Sequence, residues 1–131
     1  MKIFLKRLWR PGFSAEQNRI LSRIRVRVEQ WVLDKGYLKP LTCIDDIAED
    51  IGVPADQLSL YLKLKAHQSL LSWRKELRIL DARRLLLEYP DLSVAAIGEM
   101  VGVDDKSNFK RQFCDVVGMS PREWRELHQK K

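Results

Sequence analysis

Residues 44–53 of this chain read IDDIAEDIGV, and residues 94–103 read VAAIGEMVGV. Each stretch predicts a short amphipathic helix with a small residue four places before a glycine. These pairs are Ala48 and Gly52 in the first stretch and Gly98 and Gly102 in the second. The small residue allows a second helix to cross closely, and the glycine supplies the left-handed turn that leads into it. This is the spacing of a helix-turn-helix motif, present twice.

The composition favours helices over strands. The chain has 131 residues, of which 45% are hydrophobic, 32% are charged and only 6 are glycines. A chain of this size forms one compact unit, or two very small subdomains that share a rigid connector. We therefore predict an all-α fold with two helix-turn-helix subdomains joined by a long linker helix, and an extra helix on the N-terminal side.

Charge alternates along the chain with the repeat. The formal net charge is +6, and residues 1–28 carry eight basic groups against one acid. Residues 40–60 carry five acids and no base, and residues 89–105 carry four acids and no base. Residues 61–88 and 106–131 each carry seven bases and three acids. This polarity suits a protein that reads two stretches of DNA, because only the helix that faces the groove should be positive.

Local signals place the helices of the first half. Ser14 and Gln17 have the spacing of a capping box, and Gly36 is expected to end the helix that Ser14 begins. Thr42 is expected to cap the first lead helix. Pro54 is expected in the first turn of the helix that follows, which should end at residue 65.

A long helical run is predicted from residue 69 to residue 89. Its apolar stripe consists of Leu70, Trp73, Leu77, Leu80 and Leu85. About twenty residues at about 1.5 Å each give a rod of roughly 30 Å, which is close to the roughly 34 Å of one turn of B-DNA. We expect this connector to set two recognition helices into successive major grooves.

The second half carries its own boundary signals. Ser93 is expected to cap the second lead helix, and Asp104 to cap or precede the recognition helix, which Gly118 should close. A last helix should begin at the sequence SPRE, residues 120–123. The predicted divisions are a basic arm or linker at residues 1–13, an N-terminal helix and lead-in at residues 14–40, and a double helix-turn-helix domain at residues 41–131.

Longer stretches resemble a known family. The second motif reads IGEMVGV at residues 97–103, FKRQF at residues 109–113 and GMSPREWR at residues 118–125, and the connector reads WRKELRILDAR at residues 73–83. Together they resemble the DNA-binding domain of AraC/XylS-type regulators. The resemblance implies a bacterial transcription regulator, an activator or a repressor, that binds double-stranded DNA in a sequence-specific manner.

The resemblance also implies which side chains contact DNA. In the second motif these are Lys106, Ser107, Lys110 and Arg111, on the outward side of the recognition helix. Lys106 and Lys110 share a face because they are four residues apart. Arginine and lysine can donate to guanine O6 and N7, and serine adapts to either base.

The first motif departs from the family pattern. Its corresponding outward residues are Asp56, Gln57, Ser59 and Leu60, and Lys63 is expected to contact phosphate. Leu60 can offer only apolar contact to a thymine methyl group, and Asp56 would be repelled by phosphate unless it accepts from cytosine N4 or caps the helix. We therefore expect the second motif to dominate binding.

Other functions have weaker support. A helical protein-interaction adaptor that kept the fold and lost DNA binding is the alternative, and the first recognition helix is its best support. An enzyme is not expected, since the sequence has only two histidines and no metal-ligand spacing, phosphate loop or nucleophile–base pair. No cofactor and no metal are expected. Cys43 and Cys114 are interpreted as free thiols.

The N-terminal sequence MKIFLKRLWRPGF, residues 1–13, leaves three interpretations open. It is a loosely packed arm, a membrane-surface anchor or an arm on the DNA backbone, since basic and apolar residues alternate. The lead-in GYLKP at residues 36–40 resembles that of regulators with an upstream sensor or membrane part. Such a part and RNA polymerase are candidate partners, in a cytoplasmic protein or one tethered to the inner membrane face.

Overall fold

The structure is a computed structural model that describes residues 12–129. In that range it contains α-helices, one short 3-10 turn at Gly36–Leu38 and no strand, so the all-α prediction is confirmed. The helices are α1 (Ala15–Leu33), α2 (Ile44–Ile51), α3 (Ala55–Lys65), α4 (Leu70–Glu88), α5 (Val94–Met100), α6 (Lys106–Val117) and α7 (Pro121–Gln129). Most of the predicted basic arm lies outside the described residues.

The chain divides into two compact units between Trp73 and Arg74, within α4. The first unit contains α1, α2 and α3, and the second contains α5, α6 and α7. The predicted connector is confirmed as one unbroken helix of 19 residues, within one residue of the expected ends. Of its predicted apolar stripe, Leu80 is half-buried and the other members are buried, together with Ile79, Ala82 and Leu86. The divisions predicted after residues 13 and 40 stay predictions.

Helix α1 begins with the predicted capping box. Ser14 Oγ accepts from the Gln17 amide at 3.1 Å, and Gln17 Oε1 accepts from the Ser14 amide at 2.8 Å. The helix buries one apolar stripe, which includes Trp31 and ends at Val32. The Trp31 ring stacks on Trp73 with centroids 5.7 Å apart, so two tryptophans pack together in the core of the first unit.

The expectation that Gly36 ends α1 is wrong. The helix ends at Leu33, and Lys35 takes the left-handed conformation with φ 57°. Gly36 instead begins the 3-10 turn directly against the indole of Trp31. A Cβ at Gly36 would lie 2.2 Å from Trp31 Nε1. The position therefore requires glycine for close packing and not for a helix-terminating φ.

Two other boundary expectations in the first unit are also wrong by one position. Cys43, and not Thr42, is the N-cap of α2, and it makes no side-chain capping bond. Asp45 and Asp46 lie in the first turn, where their charge favours the helix dipole. Pro54 is the N-cap of α3 and not a member of its first turn. Since proline has no amide hydrogen, it suits a position that needs no such donor.

Arg125 fixes α7 to the end of α4 in the second unit. Its Nε donates to the Leu86 carbonyl at 2.9 Å, its Nη1 to the Leu92 carbonyl at 2.8 Å and its Nη2 to the Tyr89 carbonyl at 3.2 Å. Carbonyls at a helix end lack partners within the helix, so a guanidinium with several donors can satisfy them together. The sequence pattern contained Arg125 but gave it no role.

We predict that Arg125→Ala lowers the free energy of unfolding by about 1–3 kcal/mol, because three charge-assisted hydrogen bonds are lost and the carbonyls of Leu86 and Leu92 lose this donor. Urea denaturation followed by circular dichroism measures this. The matched control is Arg122→Ala on the same helix. The Arg122 side chain is 84% exposed and pairs with the exposed Glu126, so its loss should change stability by less than about 0.5 kcal/mol. Equal effects of the two substitutions would refute the role given to Arg125.

Asp50 joins three segments of the first unit. It accepts from Trp31 Nε1 of α1 at 2.8 Å and from Lys39 Nζ of the lead-in at 2.9 Å. The hydrogen bond from Lys39, followed by that from Trp31, holds the pKa of this carboxyl below its ordinary value of 3.8. A carboxyl with a lowered pKa stabilises the fold above its unfolded-state pKa, and this contribution is lost as the pH falls through the folded-state pKa.

We predict that Asp50→Asn is less stable than the wild type at neutral pH by up to about 1 kcal/mol, because the Lys39 ion pair is lost on a partly exposed surface. This difference should begin to shrink as the pH falls below 3.8, where the carboxyl of the unfolded state is protonated, and it should vanish once the pH is below the lowered folded-state pKa, where the carboxyl is also neutral in the fold. Denaturation midpoints across acidic pH test the prediction. Glu49→Gln on the exposed side of α2 is the control. A gap between wild type and Asp50→Asn that persists at the lowest pH would contradict it.

Candidate nucleic-acid interface

The close crossing of α5 and α6 positions the second recognition helix. A Cβ at Gly98 would lie 2.9 Å from Phe109 Cγ and 3.0 Å from the Val103 carbonyl oxygen. Gly102 has φ 85°, and the Val103 amide then donates to the Gly98 carbonyl at 2.8 Å. The predicted helix-turn-helix geometry, with a small residue and a turn glycine, is confirmed here.

The first unit repeats this arrangement with α2 and α3. Gly52 ends α2 with φ 91°, and the Val53 amide donates to the Ala48 carbonyl at 3.1 Å. Ala48 is buried, as a residue at a helix crossing should be. Leu58 and Leu62 hold the core positions of α3 that Phe109 and Phe113 hold in α6. The sequence repeat is therefore a structural repeat.

Helix α6 presents its predicted contact residues to solvent. Asp105 is its N-cap and accepts from the Asn108 amide at 2.8 Å, so Asp104 precedes the helix and does not cap it. Gly118 closes the helix with φ 90°, as predicted. Phe109 and Phe113 are fully buried. The opposite side of the helix is exposed and carries the four predicted residues, Lys106, Ser107, Lys110 and Arg111.

The side chain of Arg111 is held in place within α6. Its Nη2 donates to Asn108 Oδ1 at 2.5 Å, one turn earlier on the same helix. This bond reduces the number of conformers that the exposed guanidinium can adopt, and leaves its other N–H groups available. Asn108 was not among the predicted site residues. Its position three residues before Arg111 is the signal that could have identified it.

Helix α3 presents a different surface. Its predicted residues Asp56, Ser59, Leu60 and Lys63 are all exposed. Leu60 is 47% exposed and borders a mainly apolar groove of about 170 Å³ against α1, lined also by Phe13, Ile20 and Gln57. Tyr61 faces the core instead, and burial raises the pKa of its hydroxyl to about 12. Among the predicted residues on the exposed side of α3, Lys63 is the only cation.

Two arginines next to the turns were not identified from the sequence. Arg27 of α1 places Nη1 2.8 Å from where a Cβ on Gly52 would lie, and Arg78 of α4 places Nη1 2.8 Å from the same point on Gly102. In each unit the helix before the motif thus covers the turn with a guanidinium. Burial, followed by the charge of Arg74, lowers the pKa of Arg78. The similar arginine-to-glycine spacings, 25 and 24 residues, were the available signal.

The described residues show no cluster of three or more metal-ligating side chains. Cys43 and Cys114 are exposed free thiols. Over residues 12–129, no helix has the length and apolar character needed to cross a membrane. The predicted DNA-contacting residues of α3 and α6 are exposed. That they contact DNA stays a prediction.

Comparison with known proteins identifies the family. The sequence model described as a helix-turn-helix domain matches residues 47–127. The chain belongs to the AraC/XylS-type helix-turn-helix family. This family consists of sequence-specific DNA-binding transcription regulators. The family that the motifs predicted is therefore confirmed.

Individual relatives agree with this assignment. The chain is 35% identical over 82 residues to the arabinose operon regulatory protein of Salmonella typhimurium, and the match covers 63% of this chain and 29% of that relative. It is 28% identical to the C-terminal domain of AraT, a response regulator from Geobacillus stearothermophilus, with a TM-score of 0.63 and coverage of 83% and 85%. An AraC-type transcriptional regulator from Chromobacterium violaceum, 24% identical, shares the fold with a TM-score of 0.68 over 90% of this chain and 100% of that one.

We predict that Gly98→Ala lowers the free energy of unfolding of the second unit by about 1–3 kcal/mol and weakens DNA binding, since the added methyl group must displace α6 through Phe109 or the Val103 carbonyl. Thermal denaturation and a DNA titration measure the two effects. Glu99→Ala, on the exposed side of the same helix, is the control and should change neither. Wild-type stability in Gly98→Ala would show that α5 and α6 tolerate a wider crossing.

Proposed function

We propose that this chain is the DNA-binding part of a transcription regulator and that α6 is its dominant reading helix. The observation that supports this is the exposed side of α6, where three cations and a serine lie opposite the fully buried Phe109 and Phe113. A helix anchored so firmly on one side presents its polar side as a rigid surface. Such a surface is suited to the edges of bases in the major groove.

Within α6, each side chain has a proposed role. Arg111 donates to guanine O6 and N7, and its hydrogen bond to Asn108 orients the guanidinium before DNA arrives. Lys110 is beside it and contacts a base or a phosphate. Lys106 and Ser107 lie in the first turn of the helix, the part that approaches base edges in helix-turn-helix proteins.

Helix α3 contributes less to sequence reading in this proposal. Leu60 makes apolar contact with a thymine methyl group, and Ser59 donates to or accepts from a neighbouring base. Asp56 accepts from cytosine N4, and Lys63 contacts a phosphate. The two recognition helices enter successive major grooves, as the length predicted for the connector suggests.

The rest of the regulator is proposed from the family. The chain spans 29% of the length of its Salmonella relative, so the match concerns only part of that protein. The Geobacillus protein is the C-terminal domain of a response regulator, which supports an upstream signalling part. A sensor or membrane part upstream, contact with RNA polymerase, a cytoplasmic location and the absence of catalysis belong to this proposal.

The competing function is a protein-interaction adaptor. Its support is the surface of α3, where Leu60 borders an apolar groove and Asp56 adds a negative charge. The two functions differ in their response to salt. A regulator binds a selected duplex more tightly than random DNA, and its affinity falls as salt rises, because bound phosphates release counterions. An adaptor shows neither property.

We predict that Arg111→Ala costs about 1–3 kcal/mol of specific binding and relaxes the sequence preference in one half-site, because a base-edge donor is removed. Leu60→Ala should cost less than about 1 kcal/mol, since it removes only part of an apolar contact. Titration against a duplex selected from a random pool by the wild type measures both. A larger loss for Leu60→Ala than for Arg111→Ala would assign the dominant reading to α3.

A further inference from the structure

Helix α1 carries a row of arginines that neither helix-turn-helix motif contains. Arg19, Arg23 and Arg27 are spaced four residues apart, and all three are exposed. Residues at this spacing lie along one side of a helix, and the row spans about 12 Å at 1.5 Å per residue. The row lies in the first unit, whose recognition helix is poor in cations.

This row differs from the fourth arginine of the helix. Arg25 is half-buried and pairs with Glu29 at 3.0 Å. In the part of the chain that the structure describes, neither Arg19, Arg23 nor Arg27 forms an ion pair. Three like charges along one helix side repel one another, and a polyanion is the class of partner that relieves this repulsion.

The position of Arg27 relates the row to the recognition motif. Its guanidinium lies over Gly52, the turn glycine that comes three residues before the start of α3. In helix-turn-helix proteins the start of the recognition helix approaches base edges, and the helix before it crosses the DNA backbone. Arg27 reaches the turn that follows α2, which is the helix that this geometry would place across the backbone. The equivalent placement of Arg78 over Gly102 shows that this arrangement occurs in both units.

We propose that Arg19, Arg23 and Arg27 of α1 form a phosphate-binding surface that holds the DNA backbone beside the half-site of α3. This inference rests on the proposed function, since it requires that the chain bind DNA. Guanidinium groups bind phosphate oxygens through two parallel hydrogen bonds, which suits a row of arginines beside a sugar–phosphate strand. The first unit then holds DNA mainly by charge, and the second reads its sequence.

The proposal predicts a specific change in binding. Contacts to phosphate add affinity and salt dependence but no sequence preference. Each lost contact should make the slope of log K against log salt shallower by about 0.9. The double variant Arg19→Gln, Arg23→Gln should therefore make the slope shallower by up to about 1.8, and by the same amount for selected and random DNA. The ratio of the two affinities should stay at the wild-type value.

The experiment measures binding of the full chain to two synthetic duplexes over a range of salt. One duplex carries the sequence that the wild type selects from a random pool, and the other has random sequence. The control is Arg25→Gln, which removes one positive charge from the same helix, but from a residue that is already paired. Its slope should equal that of the wild type. Circular dichroism confirms that each variant is folded.

Arg27 is tested separately because it also packs on Gly52. Arg27→Gln should make the slope shallower by up to about 0.9, and Arg27→Lys, which keeps the charge, should restore the wild-type slope. If Arg27→Gln and Arg27→Lys both make the slope shallower, Arg27 acts through packing of the turn. It then does not belong to the proposed phosphate-binding surface.

Three outcomes would overturn the proposal. If the double variant keeps the wild-type slope while the wild type still prefers the selected duplex, the arginine row fails and the proposed function stands. If the wild type shows no salt-dependent DNA binding, both fail. If the DNA slope is unchanged but the double variant no longer co-sediments with phosphatidylserine vesicles that bind the wild type, the row is a lipid surface instead.

Discussion

The close crossing of two short helices is the constraint on which both units depend. Helix α6 can lie against α5 only because position 98 has no side chain, and α3 can lie against α2 because position 48 is alanine. The turn glycines then direct each second helix across the first with a left-handed φ. Since the buried aromatic side of α6 is fixed by this crossing, its exposed side is fixed as well. The geometry of the site thus follows from a packing requirement.

The cations of this chain fall into two groups with different roles. Arg125 is bound to three backbone carbonyls and stabilises the junction of α4 and α7. Arg111 and the row on α1 instead keep donors directed to solvent. A net charge of +6 therefore says little about binding by itself. The important distinction is which guanidinium groups are already hydrogen-bonded within the fold, because only the others can bind a phosphate or a base.

The two units share a fold but differ in surface chemistry. Their buried positions correspond, with Leu58 and Leu62 in α3 matching Phe109 and Phe113 in α6. Their exposed positions do not, since α3 carries Asp56 and Leu60 where α6 carries serine and arginine. Exposed residues are free to differ because they make few contacts within the fold. A regulator built this way can separate holding DNA from reading it while retaining one architecture twice.

The sequence alone determined the all-α class, the two motifs, both turn glycines and most helix boundaries, because periodicity, capping and positive φ are local properties. It misplaced the cap of α2 and the role of Gly36, and it missed Arg27, Arg78 and Arg125. The three arginines act on residues far apart in the chain: Arg27 and Arg78 lie over turn glycines, and carbonyls of α4 and its following loop hold Arg125. The role of Gly36 is set by the indole of Trp31, which is near in the chain but reaches the turn only through the folded backbone. Only the tertiary structure brings such groups together, and no local pattern encodes a contact made across about 25 to 40 residues.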